Sequence, residues 1–273
     1  MTTTAISPAA TTEIPQPAAR PLVGWTVRDA MTITWRNLLA MTRVPEVIVF
    51  STIQPIIFVL TFRYVFGGAI DAPYDYVDFL MPGIFVQTVA FGAINTGIGL
   101  SEDLGKGLVE RFRSLPMARS AVLAGRTLAD MVRNLFVVLL MVVVGFLVGF
   151  DIHVGWGPFA ASLLILLLFG FAMSWIFGLI GLLVRSGEAA QAASFPLLAI
   201  LVFASSAFVP KETMPGWLQA YNDVQPVSIT VDAVRALAVG GPTATPILQA
   251  IAWSLGLIVV FAPLAVRTYR RSA

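Results

Sequence analysis

The chain has 273 residues, of which 58% are hydrophobic and only 12% charged, with a mean hydropathy of +0.85 and a formal net charge of +2. A water-soluble fold of this length cannot hide so much apolar surface, so the composition calls for lipid as the solvent. The near-neutral charge leaves no electrostatic footprint for nucleic acid. The absence of cysteine excludes disulfides, thiol catalysis and thiolate metal sites.

Residues 1–24 carry Pro8, Pro15, Pro17 and Pro21 and no apolar run long enough for a signal peptide. They read as a disordered cytoplasmic tail. Residues 25–43 read as an amphipathic helix. Met31, Trp35, Leu38 and Leu39 form an apolar stripe, and Arg28, Thr32, Arg36 and Arg43 fall on another face. Such a helix settles in the plane of the inner membrane surface. Whether it only anchors the chain or also receives a partner is open at this level.

A spanning helix needs about 20 mostly apolar residues. Six stretches qualify, at about 47–66, 79–100, 121–150, 159–184, 189–209 and 247–266. The third has its apolar part only from Leu135 and is expected to begin as a charged helix. Arg126, Asp130 and Arg133 fall on one face of it. A solvated or salt-bridged helix end is the plainer reading, and a role in coupling the sharper one. Between the fifth and sixth stretches, Pro210–Pro246 is too polar to span. It predicts two short helices that dip into the outer interface, divided near Gln225-Pro226 and stopped by Gly240-Gly241-Pro242. Trp217 and Tyr221 suit that depth.

Six spans place all basic residues except Arg63, Lys211 and Arg235 on one side, while the first outer loop carries Asp71, Asp75 and Asp78. By the positive-inside rule both ends are then cytoplasmic. Five or seven spans would break this agreement.

No catalytic constellation is legible. Walker A needs two glycines separated by four residues, followed by Lys and Ser or Thr. The best approximation, Gly99 to Gly105-Lys106-Gly107, has the wrong spacing and ends in glycine. The chain is therefore not expected to hydrolyse ATP unaided. His153, the only histidine, reads as an interfacial loop residue beside Asp151. The span centres read as uncharged, so ion-gradient coupling lacks residues to carry it. Their polar groups are neutral: Gln54, Gln87, Asn95, Ser162, Ser174, Ser194, Ser205 and Ser206. These either hydrogen-bond between helices or line a weakly polar path for an amphipathic substrate. Gln54, Gln87, Asn95, Ser205 and Ser206 are the path candidates.

After the second span, Leu104, Leu108, Phe112 and Leu115 make one apolar face of a short helix that Pro116 ends. A solvated loop has no use for that stripe, whereas a helix docked in a groove does. The segment Glu110-Arg-Phe-Arg-Ser-Leu-Pro116 resembles the ERLRSLP-type segment of ABC-2 type exporter permeases, with Phe112 where Leu is usual and Gly107 at the preceding small position. Val209–Leu218, Gln225–Ser228, Ala233–Leu237 and Gly240–Pro242 are also similar to that family, in the daunorubicin and multidrug resistance branch. The resemblance runs from about Trp25 to Arg271.

The resemblance implies an all-α, multi-pass plasma-membrane permease with a transmembrane domain over about 44–268 and a short cytoplasmic tail at 269–273. It implies six spans, the interfacial helix with Arg28, Trp35 and Arg36, and two outer re-entrant helices. It also implies a cytoplasmic coupling helix containing Glu102, Gly107, Leu108, Glu110, Arg111, Phe112, Arg113, Leu115 and Pro116. Partners would be a separate ABC ATPase subunit in two copies, which holds the ATP and Mg that this chain does not, and a second permease copy or paralogue. The substrate would be a hydrophobic drug, antibiotic or lipid, passing along the first, second and fifth spans. A gradient-driven transporter or channel, and a non-transporting membrane scaffold, are the rival classes.

Overall fold

The computed structural model describes residues 28, 31–36, 38–39, 45–105 and 119–272. It contains no strand among the described residues. The helices are α1 (Pro45–Leu60), α2 (Tyr76–Gly105), α3 (Arg119–Leu147), α4 (Trp156–Leu183), α5 (Gly187–Phe203), α6 (Gly216–Asn222), α7 (Pro226–Ala238) and α8 (Ala244–Ser272). The expected N-terminal tail and most of the expected coupling helix lie outside the described residues.

Four helices, α2, α3, α4 and α8, are long and apolar enough to cross a membrane. Two others are apolar but shorter. One is α1, whose 16 residues contain Pro55 and run directly into a π-helical turn, Thr61–Phe66. A widened turn of this kind inserts where the regular ladder is disturbed, and the missing N–H of Pro55 is one such disturbance. The other is α5, capped at its start by Ser186, whose Oγ accepts from the Ala189 N–H at 3.2 Å. It stops at Phe203, short of the Val209 expected from hydropathy. Residues 204–210 turn instead, because side chains from elsewhere satisfy the backbone groups freed there.

α2 is the axis of the molecule: 89% of its most apolar window is buried, against 11% for α8. α1, α3, α4, α5 and α7 all pack on α2, while α8 packs chiefly on α4 and α7. Among apolar helices in lipid, association gains little from removing water and depends on close packing and interhelical bonds. The α2–α4 contact shows this. Gly97 and Gly181 face each other so closely that a Cβ on Gly181 would strike the Gly97 carbonyl.

The helical turn at residues 31–36 buries Ile33 and Thr34, and Thr34 Oγ1 donates to the Gly125 carbonyl at 3.0 Å. Ile33 packs with Leu100, Trp175, Leu182 and Tyr269 at one end of the bundle, here called the basic end. The stripe of Met31, Trp35 and Leu39 faces away from the protein and is exposed, as are Arg28 and Arg36. The protein-facing side of this helix is thus not the stripe that hydropathy singles out.

At the far end, α6 and α7 cap the bundle. Val227, Val231, Val234 and Leu237 are all buried, and Trp217 is exposed. Non-helical backbone inside such a bundle is tolerable only when its polar groups find partners. Residues 204–210 meet that condition. Asn222 Nδ2 donates to the Ala204 carbonyl at 3.0 Å, the Ser206 N–H donates to Ser228 Oγ at 3.1 Å, and the Tyr76 hydroxyl donates to the Phe208 carbonyl at 2.9 Å. Arg235 Nη2 donates to the carbonyls of Ser206 (2.9 Å) and Phe79 (3.2 Å) while Nη1 pairs with Asp232 at 3.0 Å. Lys211 also pairs with Asp223, which raises the lysine above its usual pKa and keeps the 3₁₀ turn at Lys211–Thr213 tied to the end of α6.

Candidate functional site

The site is a partly open cavity of about 450 Å³ between α1, α2, α3 and α5. α2 supplies its back wall, because Gln87, Phe91, Asn95 and Ile98 recur at helical spacing along one face. Gln54 and Pro55 enter from α1, Arg133, Asn134 and Val137 from α3, and Gln191 and Phe195 from α5.

Of the five path candidates, the structure brings Gln54, Gln87 and Asn95 to this cavity. It does not bring Ser205 and Ser206 there. Ser205 Oγ donates to the Val202 carbonyl at 2.5 Å and accepts from the Ala207 N–H at 3.2 Å, and Ser206 faces Ser228 and Asp232. Both hydroxyls are consumed in holding the break after α5. The lining also includes Thr88, Asn134 and Gln191, which hydropathy passes over.

One charged residue, Arg133, lines the cavity, and it belongs to the charged start expected of the third span. Asp130 and Arg133 are 1% and 7% exposed within the apolar helix α3. Arg133 Nη1 lies 3.1 Å from Asp130 Oδ1, and Thr96 Oγ1 donates to Asp130 Oδ2 at 2.5 Å. Arg133 Nη2 donates to the Gly92 carbonyl at 2.7 Å. One turn closer to the basic end, Arg126 pairs with Asp103 at 2.7 Å. Arg126, Asp130 and Arg133 do share a face, as their spacing requires, and the structure shows the salt-bridged form of that helix end, packed against α2 with the Arg126–Asp103 pair part-exposed. α2 fits it: its guanidinium-facing residue opposite Arg126 is Gly99, where a Cβ would collide with the Arg126 side chain. Burial of each charge is compensated because the two are paired and hydrogen-bonded.

Glu102 is exposed in the last turn of α2, close to Gly187 at the start of α5. The remaining predicted coupling residues, Gly107, Leu108, Glu110, Arg111, Phe112, Arg113, Leu115 and Pro116, lie outside the described residues. His153 lies in the loop between α3 and α4, as expected, but its side chain has a partner from another helix. Its Nε2 lies 2.7 Å from Asp78 Oδ2, and the other oxygen of Asp78 accepts from the Asp151 N–H at 3.0 Å. This far-end junction is away from the cavity and tethers the α3–α4 turn to α2. Among the described residues no group of three or more His, Asp or Glu could hold a metal.

Among the described residues, an all-helical bundle with helices long and apolar enough to span defines a membrane protein. The sequence profile of the family "ABC-2 type transporter" matches residues 28–239, more than half of the chain, and the chain belongs to that family. It is 37% identical over 252 residues to the daunorubicin resistance ABC transporter permease protein DrrB1 of Streptomyces coeruleorubidus, covering 92% of this chain and 89% of that one. It is 30% identical to the probable doxorubicin resistance ABC transporter permease protein DrrC of Mycobacterium tuberculosis, covering 94% of this chain and 92% of that one. The doxorubicin resistance ABC transporter permease protein DrrB of the same organism is 27% identical over 85% of this chain and 86% of its own length.

Proposed function

We propose that this chain is the membrane-spanning subunit of an ATP-driven exporter of hydrophobic or amphipathic drugs. The observation that carries the reading is its identity, over nearly its whole length, to permeases named for daunorubicin and doxorubicin resistance. The cavity supports it, since it is large enough for a drug-sized molecule and mixes apolar with polar lining.

In this reading α1 and α5 complete a set of six spans, with both termini on the cytoplasmic side of the plasma membrane. Residues 31–39 lie along the inner surface with Met31 and Trp35 in lipid, and α6–α7 re-enter from the outside. A separate ATPase, two copies per complex, supplies the ATP and Mg, and a second permease copy or paralogue completes the translocation path. Glu102–Pro116 seats on that ATPase. Nucleotide binding there moves the segment and shifts the permease between conformations with different substrate affinity.

Inverted membrane vesicles containing this chain and its ATPase test the reading. ATP-dependent accumulation of doxorubicin is expected, and it should vanish when Glu110→Ala or Arg111→Ala is introduced while the permease still inserts. Full transport by the chain alone in ATP-free liposomes refutes it.

A further inference from the structure

Among the four long helices α8 is the least covered by protein, and its two sides differ in kind. One side packs into the bundle and buries Ala250, Ser254, Ala265 and Tyr269. The other carries a stripe at helical spacing, formed by Trp253, Gly256, Val260, Leu264, Arg267 and Arg271, and every member is exposed. The stripe is apolar as far as Leu264 and then ends in two guanidinium groups one turn apart, at the basic end.

Lipid tails suit the apolar part, and for that part any lipid would serve. The arginines ask for more. Neither Arg267 nor Arg271 has a partner among the described residues. α4, the main neighbour of α8, carries no charged residue from Trp156 to Leu183 and cannot supply one. On α2 and α3, Asp103 and Asp130 are already engaged by Arg126 and Arg133, and Glu102 lies by the start of α5. Two exposed cations thus stand at the foot of an apolar track with no counter-ion from the protein. From Gly256 to Arg267 the track measures about 17 Å of helix at 1.5 Å per residue. One leaflet of hydrocarbon is about 15 Å thick.

A second copy of this chain is a poor occupant. Two copies inserted in the same direction would meet across this stripe at equal depth, with Arg267 against Arg267 and Arg271 against Arg271 and no carboxylate between them. We infer that the stripe is a binding site for an anionic phospholipid. Its acyl chain lies along Gly256, Val260 and Leu264, and its phosphate is held by Arg267 and Arg271, whose planar forks match phosphate oxygens. The site is a property of α8 and stands whichever molecule the chain moves.

The chain has no cysteine, so one introduced at a chosen position carries a single fluorophore. The full-length Leu264→Cys variant, labelled with bimane, is reconstituted in phosphatidylcholine nanodiscs that contain rising fractions of brominated phosphatidylglycerol or brominated phosphatidylcholine. Half-maximal quenching should need at least about fivefold less of the anionic lipid, the worth of one interfacial arginine. A label placed instead by Leu248→Cys, exposed near the other end of α8, should see the two lipids alike. Adding Arg267→Gln and Arg271→Gln, at exposed positions where folding is not at risk, should bring the ratio at Leu264 close to one and leave quenching by brominated phosphatidylcholine unchanged. Equal quenching by the two lipids at Leu264, a preference that survives loss of both arginines, or the same preference at Leu248 overturns the site. A Leu264 label that neither lipid quenches also overturns it, because protein, a second copy included, then covers the stripe.

Discussion

The Asp130–Arg133 pair gives the most direct quantitative test of how the bundle is held. Arg133→Met strands the Asp130 carboxylate, 1% exposed, with Thr96 as its remaining hydrogen-bond donor. Asp130→Leu strands the guanidinium, which keeps only its bonds to Gly92 and Asn134. Removing one partner of a buried ion pair costs about 3–5 kcal/mol, because a desolvated charge is left uncompensated. Removing both leaves an apolar contact between α2 and α3, and such replacements are near neutral or stabilising. The double variant should therefore be more stable than either single one, with a coupling energy of about 3 kcal/mol or more. Reversible unfolding in mixed detergent–SDS micelles, followed by tryptophan fluorescence, measures all four corners of the cycle. Additive losses, with the double variant least stable, would refute the claim that the pair is compensated by mutual attraction.

Further predictions concern packing and the far-end cap. Gly181→Ala should destabilise by about 1–3 kcal/mol, since its new methyl meets the Gly97 backbone, which cannot move aside cheaply. Gly178→Ala on the same helix meets only the Thr96 methyl at 3.8 Å and should be near neutral, a contrast that a thermal-shift assay reads directly. Arg235→Met leaves the Ser206 and Phe79 carbonyls without their charged donor, and should cost about 3 kcal/mol. Limited proteolysis should then cut first within residues 204–225. Gly99→Ala should displace the Arg126 guanidinium and weaken its pair with Asp103. Restored stability in the Gly99→Ala/Arg126→Ala double variant would confirm the contact.

The long apolar helices were readable because length and hydropathy suffice to find them. The common face of Arg126, Asp130 and Arg133 was readable from helical spacing, but its burial was not. That depends on Gly92, Thr96, Gly99 and Asp103 standing opposite on another helix, and no local pattern reports a partner. The polar groups in mid-span were a fair guide to the cavity for Gln54, Gln87 and Asn95. Asn134 was hidden beside a charged residue in what read as a solvated or salt-bridged helix start, and Gln191 lies in the first turn of the expected fifth span, away from its centre. Ser205 and Ser206 misled because hydropathy carries α5 through them, whereas Asn222, Ser228 and Arg235 draw the backbone out of the helix. His153 was read with its sequence neighbour Asp151, and only the tertiary fold delivers Asp78 to it.

The contacts along the α2–α3 seam have a mechanical consequence. They run from Asp103 to Gly92, about 17 Å of helix at 1.5 Å per residue. They begin just beyond the two ends of residues 106–118, where the chain leaves α2 and returns into α3. A force applied to that segment cannot pull the two helices apart like the legs of a hairpin, because the clasps next to it would have to fail first. It must tilt them together as a single stiff lever. The lever's upper clasp is Arg133, in the wall of the cavity, so any tilt that begins at the basic end changes the shape of the chamber directly.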